Sequence, residues 1–147
     1  MSLLMLGLSH KTAPVELRES LALEGDHFFG EVLAPVKRDG LVDEWVLIST
    51  CNRVEAYAVT SRPDDAEAAL RKAFEKKAGA RAAQARKALQ ALQGEEMLWH
   101  LLQVASSLDS MVLGEAQILG QVKDAYEKAG QRFQVRQGGQ LVGQAAQ

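Results

Sequence analysis

Cys51 is the only cysteine of this 147-residue chain, and it lies in a polar neighbourhood. It sits in Ser49-Thr50-Cys51-Asn52-Arg53, directly after the apolar run Trp45-Val46-Leu47-Ile48. A cysteine used as a small hydrophobe is normally flanked by apolar residues, whereas a nucleophile needs partial exposure and a nearby positive charge that favours the thiolate. Two hydroxyls, an amide and a guanidinium around one thiol suit covalent chemistry on a polar substrate. Residue type alone also leaves open an inert thiol at a strand end. His100 is the second chemical group, because a thiol nucleophile needs a proton partner and imidazole is the usual one near neutral pH. A lone histidine on a helix can equally be structural. Gln117 and Gln121, one helical turn apart, either face solvent or grip a carboxylate or an amine.

These groups must be held by strands and helices whose outlines the sequence suggests. Leu3 to Leu8 reads as a strand that ends at Gly7-Leu8-Ser9-His10. Thr12 is the expected N-cap of a helix running from Pro14 through Leu17 to Leu21. Another helix is expected from Asp26, with Phe29, Val32, Leu33 and Val36 on one face and Pro35 kinking or ending it. Trp45 to Thr50 reads as a strand covered on both faces, and Val54 to Thr60 as a second strand, with Cys51-Asn52-Arg53 between them. So short a connection implies a hairpin, with the thiol at or beside its tip. Ser61 to Asp65 opens an alanine-rich helix whose inner face is Ala66, Ala69, Leu70, Ala73 and Phe74, stopped near Gly79. Ala80 to Gln93 favours helix, although Leu89 to Leu92 is compatible with a last short strand. From Glu95 onward the chain reads as helical. Leu98, Leu101, Leu102 and Ala105 form the expected apolar stripe, His100 projects away from it, and a final helix from Gly114 faces a core with Ile118, Val122, Ala125, Tyr126 and Ala129.

Composition narrows the class of function. The length allows one domain with an appended helical segment, and the net charge of −2 argues against binding nucleic acid through a globally basic surface. Arg71-Lys72, Lys76-Lys77, Arg81 and Arg86-Lys87 cluster locally, but Asp64, Asp65, Glu67 and Glu75 balance them, as on a solvated helix face. Met1 to Leu8 is too short to span a bilayer and lacks a basic leader, so no membrane segment or signal peptide is expected. One cysteine and three scattered histidines give no metal-ligand spacing, and a reducing cytoplasm is the natural setting.

Three separated segments closely resemble one family. Gly7-Leu8-Ser9-His10-Lys11-Thr12-Ala13-Pro14-Val15-Glu16-Leu17-Arg18-Glu19, Ser49-Thr50-Cys51-Asn52-Arg53-Val54-Glu55 and the stretch from Leu108 to Gln121 are similar to the N-terminal catalytic domain of glutamyl-tRNA reductase, over nearly the whole chain. The resemblance implies a ferredoxin-like α/β (α+β) core with added C-terminal helices. It also implies an enzyme that takes glutamate from glutamyl-tRNA as a thioester and reduces it with NADPH to glutamate 1-semialdehyde, on the five-carbon route to 5-aminolevulinate and tetrapyrroles. Cys51 matches the family's nucleophile and His100 the histidine near the thiol. Thr50, Asn52, Arg53, Ser110, Glu115, Ala116, Gln117 and Gln121 match substrate contacts, with Arg53 the expected partner of the glutamate carboxylate and Glu115 a partner for the α-ammonium. Two departures concern loop shape: Ser107 stands where glycine is common and Ala116 where proline is common.

The family's enzymes also carry an NADPH-binding domain and a dimerisation helix. This chain has no G-x-G-x-x-G after a strand, and the tail Gly138-Gly139-Gln140-Leu141-Val142-Gly143 offers neither that spacing nor a preceding strand. The chain therefore reads as residues 1–147 of the catalytic domain alone, or as an incomplete gene product. The partners implied are glutamyl-tRNA, a second copy in the full-length homodimer and glutamate-1-semialdehyde aminotransferase; no metal is implied. Two other readings are a cofactor-independent cysteine hydrolase using Cys51 and His100, and a tRNA- or protein-binding module with a structural cysteine.

Overall fold

The computed structural model describes residues 1–22 and 33–106, and the backbone of 135–137 and 140–142. The elements, in chain order, are β1 (Ser2–Ser9), α1 (Val15–Leu21), α2 (Ala34–Arg38), β2 (Glu44–Ser49), β3 (Arg53–Thr60), α3 (Pro63–Ala78), α4 (Ala82–Ala88), β4 (Gln90–Gln93) and α5 (Gly94–Ala105). Two further strands, β5 (Val135–Gln137) and β6 (Gln140–Val142), pair antiparallel with each other. The main sheet has the order β2-β3-β1-β4, every neighbouring pair antiparallel. That order and the β-α-β-β-α-β succession make the core ferredoxin-like, as expected.

Alternation along the central strands assigns the two faces of the sheet. Leu4, Leu6 and Leu8 of β1 and Val54, Ala56 and Ala58 of β3 are buried with Leu17 and Leu21 of α1 and Ala66, Leu70 and Phe74 of α3. This is the main core, and each large aliphatic side chain buried there contributes about 1.5–3 kcal/mol. On the opposite face Met5, Ile48 and Tyr57 form a smaller cluster with Met97 and Val104 of α5.

Several expectations change in detail. Helix α1 begins at Val15 with Pro14 as its cap residue and no side-chain cap. Thr12 serves elsewhere, because its Oγ1 accepts a hydrogen bond from the Ser9 amide at 3.1 Å and closes the turn after β1. Pro35 lies in the first turn of α2, where its missing N–H costs nothing; the stretch from Asp26 to Val32, where the helix before it was expected, lies outside the described residues. Strand β2 is at the sheet edge, yet it buries one side chain on each face as expected, Trp45 in the main core and Ile48 in the smaller cluster, with its other residues only partly buried. Helix α3 follows its sequence signals, with Pro63 in the first turn, Asp64 and Asp65 at the positive end of the dipole and Gly79 (φ 56°) at the C-cap. Its exposed side carries balanced pairs, Arg62–Asp65, Arg71–Glu67 and Arg86–Glu75. The short strand suggested near Leu89 to Leu92 is β4, antiparallel to β1.

The largest correction concerns α5. Met97 and Val104 are buried, with His100 and Leu101 partly buried between them, whereas the predicted stripe residues Leu98 and Leu102 are 45% and 51% exposed. The face on the sheet is therefore 97/100/101/104, and it includes His100. Met97, Leu98, Trp99, Leu101, Leu102 and Val104 make this helix apolar on nearly every side, so periodicity alone does not select a face. Among the described residues no helix is long and apolar enough to cross a membrane.

Candidate active site

Cys51 occupies the tip of the β2–β3 hairpin, whose last paired residues are Ser49 and Val54. Six backbone groups around the thiol are tied down. The Thr50 amide donates to the Arg53 carbonyl at 2.8 Å, and Thr50 Oγ1 accepts from the amides of Asn52 (3.1 Å) and Arg53 (3.2 Å). The His10 amide donates to the Asn52 carbonyl at 2.7 Å, which extends the β1–β3 ladder one step past Ser9 and Arg53. From α1, Arg18 Nε donates to the Cys51 carbonyl at 3.0 Å while its Nη1 donates to the Ala13 carbonyl at 2.6 Å. The thiol itself is exposed. A fixed backbone with an open sulfur is the arrangement a nucleophile needs, since positioning removes much of the entropic barrier to attack.

Behind the hairpin, on the α5 side of β3, alternate residues Arg53, Glu55 and Tyr57 share one face and are buried to 1%, 2% and 6% exposure. Arg53 Nη1 donates to Glu55 Oε1 at 2.9 Å, and the Tyr57 hydroxyl donates to Glu55 Oε2 at 2.7 Å. His100 comes down from α5 with its Nε2 3.0 Å from Glu55 Oε1 and its ring stacked on Tyr57 at a centroid distance of 6.4 Å. A buried carboxylate is costly unless both oxygens are satisfied, and here three donors converge on it. Gly7 faces Glu55 across the β1–β3 ladder. A Cβ at Gly7 would come within 2.7 Å of the Val54 carbonyl oxygen and of Glu55 Cα and Cγ. Only glycine leaves room for the β3 backbone and the Glu55 stem at that point.

Of the residues singled out from the sequence, the structure describes Thr50, Cys51, Asn52, Arg53 and His100; Ser110, Glu115, Ala116, Gln117 and Gln121 lie outside the described residues. Thr50 and Asn52 belong to the fixed tip. The Arg53 guanidinium is interior and engaged with Glu55. Arg18, Glu55 and Tyr57 were not singled out. An arginine, a glutamate and a tyrosine at i, i+2 and i+4 of an otherwise apolar strand is the period-2 signal that exposes the cluster; nothing local marks Arg18 as a partner of residue 51.

No metal-binding group of three or more His, Cys, Asp or Glu occurs among the described residues. Nor do the described residues fit a dinucleotide. Gly94 follows β4 and opens α5, but one glycine followed by Glu95 and Glu96 in the first turn places two carboxylates where a pyrophosphate would need backbone amides and no negative charge. Contrary to expectation a strand, β5, does precede Gly138, but the element after Gly139 is strand β6, not a helix whose N-terminus could hold phosphate.

Comparison with known proteins agrees across three measures. Residues 6–144 match the family model described as glutamyl-tRNA(Glu) reductase, N-terminal domain. The glutamyl-tRNA reductase of Syntrophotalea carbinolica is 46% identical over 129 residues, covering 88% of this chain and 29% of that protein. Glutamyl-tRNA reductase 2 of Anaeromyxobacter dehalogenans is 47% identical over 124 residues, covering 84% of this chain and 26% of that one. Among solved structures, glutamyl-tRNA reductase from Methanopyrus kandleri superposes with a TM-score of 0.66 at 36% identity, over 86% of this chain and 28% of that one. The chain thus spans between a quarter and a third of the length of the relatives it matches.

Proposed function

Because the chain belongs to the N-terminal domain family of the glutamyl-tRNA reductases, we propose that it performs the acyl-transfer half of that enzyme's reaction. The Cys51 thiolate attacks the ester carbonyl carbon of glutamyl-tRNA. The C–S bond forms as the C–O bond to the terminal ribose breaks, and the ribose oxygen leaves with a proton delivered by His100. The products are free tRNA and glutamate held as a thioester on Cys51. Splitting the reaction in this way replaces an ester by a thioester, whose carbonyl is more easily reduced.

In the whole enzyme, reduction of the thioester to glutamate 1-semialdehyde opens the route to 5-aminolevulinate and draws on NADPH, for which the described residues offer no site. Ser110, Glu115, Ala116, Gln117 and Gln121 complete the glutamate pocket in this reading, with Thr50 and Asn52 from the hairpin tip. Arg53 contributes from beneath the pocket, and its first task is to neutralise Glu55. Residues 1–147 form the catalytic domain, and the NADPH-binding and dimerisation parts belong to the rest of the full-length enzyme. That enzyme works as a homodimer in the cytoplasm and hands its product to an aminotransferase.

The observation that carries this reading is the exposed thiol on a hairpin tip whose backbone is fixed from three sides. The test is release of deacylated tRNA from glutamyl-tRNA without NADPH. The wild-type chain should release about one equivalent quickly and more only as water hydrolyses the thioester, and Cys51→Ala should release none. Equal release by both refutes the nucleophile. A cofactor-independent hydrolase would instead turn over many equivalents without a burst.

A further inference from the structure

Glu55 is the most buried carboxylate among the described residues, and the acyl-transfer reading gives it no role. A guanidinium and a phenol already donate to its two oxygens, so its site is built for an acceptor. With the carboxylate as acceptor, the imidazole nitrogen Nε2, 3.0 Å from Oε1, completes the hydrogen bond in the tautomer that carries its hydrogen on Nε2. The remaining ring nitrogen is Nδ1. The ring is also held on its flat side by Tyr57, and it is the part-exposed end of the network: the side chain of His100 is 18% exposed against 2% for Glu55. Gly7 lets β3 come this close, because a Cβ there would meet the Val54 carbonyl oxygen first and then Cα and Cγ of Glu55.

We propose that Glu55 is the positioning residue of the proton carrier: it fixes His100 in the Nε2–H tautomer and makes Nδ1 the atom that exchanges protons with the reacting groups. Nδ1 takes the proton from the Cys51 thiol as the thiolate forms. The same proton then passes from Nδ1 to the ribose oxygen as the C–O bond breaks. The Nε2 hydrogen stays in its bond to Glu55 throughout, and Glu55 stabilises the transient imidazolium by its charge. A buried carboxylate that orients a histidine and favours its charged form is a recurring device in nucleophilic catalysis. Here the bond to the carboxylate comes from Nε2, so the working nitrogen is the other one.

The inference rests on the proposed role of His100, and the experiment separates the two. Nitrogen-15 spectra of the imidazoles, with the His100 signals identified by their loss in His100→Asn, report the tautomer of the neutral ring without any substrate. Single-turnover acylation of Cys51 and the affinity for glutamyl-tRNA are then measured for Glu55→Ala and Glu55→Gln. The wild type should show Nε2–H. Glu55→Ala should lose that preference and acylate about 10²-fold more slowly, at the low end of what acid–base assistance supplies, with substrate affinity unchanged. Glu55→Gln, which keeps an acceptor oxygen but no charge, should retain the tautomer and recover part of the rate. An Nδ1–H tautomer in the wild type, or acylation by Glu55→Ala at the wild-type rate, overturns the proposal. Should Glu55→Ala fail to fold, the wild-type tautomer decides. If the wild type shows Nε2–H yet never acylates Cys51, the ring is oriented as proposed and the acyl-transfer reading fails.

Discussion

The two faces of β3 divide the work of the domain. Val54, Ala56 and Ala58 point into the large apolar core with α1 and α3, while Arg53, Glu55 and Tyr57, interleaved with them, point to the side covered by α5. One face is stabilised by area, through many side chains of which no single one is special. The other is stabilised by satisfaction: four polar groups, each bonded to a neighbour, where loss of one leaves the rest exposed to the cost of burial. A single strand can therefore carry a folding surface and a chemical one, and substitutions a residue apart should fail in different ways.

The comparison is sharpened most by His100→Asn. It should slow acylation of Cys51 by a factor of about 10² to 10⁴ while circular dichroism, melting temperature and glutamyl-tRNA affinity stay close to wild type. Unmutated single-turnover rates would make His100 structural. Phe74→Ala, from the other face, should do the reverse. Truncating this fully buried ring costs about 3–5 kcal/mol of stability, visible as a lower urea midpoint, with normal acylation by whatever fraction stays folded.

Arg53→Ala tests whether the polar face is built as described. It leaves the Glu55 charge buried without its guanidinium, and breaking such a pair costs about 3–5 kcal/mol. Unchanged stability with weaker glutamyl-tRNA binding would return Arg53 to a purely substrate-binding role. Gly7→Ala should cost about 1–3 kcal/mol through overpacking and should slow acylation as well, because the added methyl pushes on Glu55. A stability loss without a rate loss would separate the cluster from the chemistry.

The smallest effect is expected far from both faces, at Arg86→Ala. The Arg86 side-chain hydrogen bond holds the Glu75 carboxyl below its usual range. A folded-state value depressed in this way contributes stability above the ordinary carboxylate range and loses it as pH falls through the lowered value. The pair is open to solvent and screened by salt, so the melting temperature near neutral pH should not move measurably.

Much of this was legible in the sequence. The order of strands and helices, the hairpin around Cys51 and the C-terminus of α3 follow from local signals whose physics is short-range: alternation, a proline at a helix start, a glycine after its end. The rotation of α5 was not legible, because a helix apolar on nearly all sides has no preferred face of its own. What selects the face is long-range, the packing of Met97 and Val104 on the sheet and the demand of buried Glu55 for the His100 ring, 45 residues away in sequence. The pairing of Arg53 with Glu55 was not legible for the same reason: it follows from strand alternation, which turns the Arg53 side chain inward. Arg18 joins Cys51 across 33 residues, and only the fold brings them together.

The central claim is that Cys51 accepts glutamate from glutamyl-tRNA. The most direct measurement is the intact mass of the chain after brief incubation with glutamyl-tRNA, followed by peptide mapping. The account predicts one glutamyl adduct, confined to Cys51, removed by hydroxylamine as a thioester is, and absent from Cys51→Ser after the same incubation with glutamyl-tRNA. No adduct under conditions where the tRNA is deacylated, or an adduct on any other residue, would contradict it.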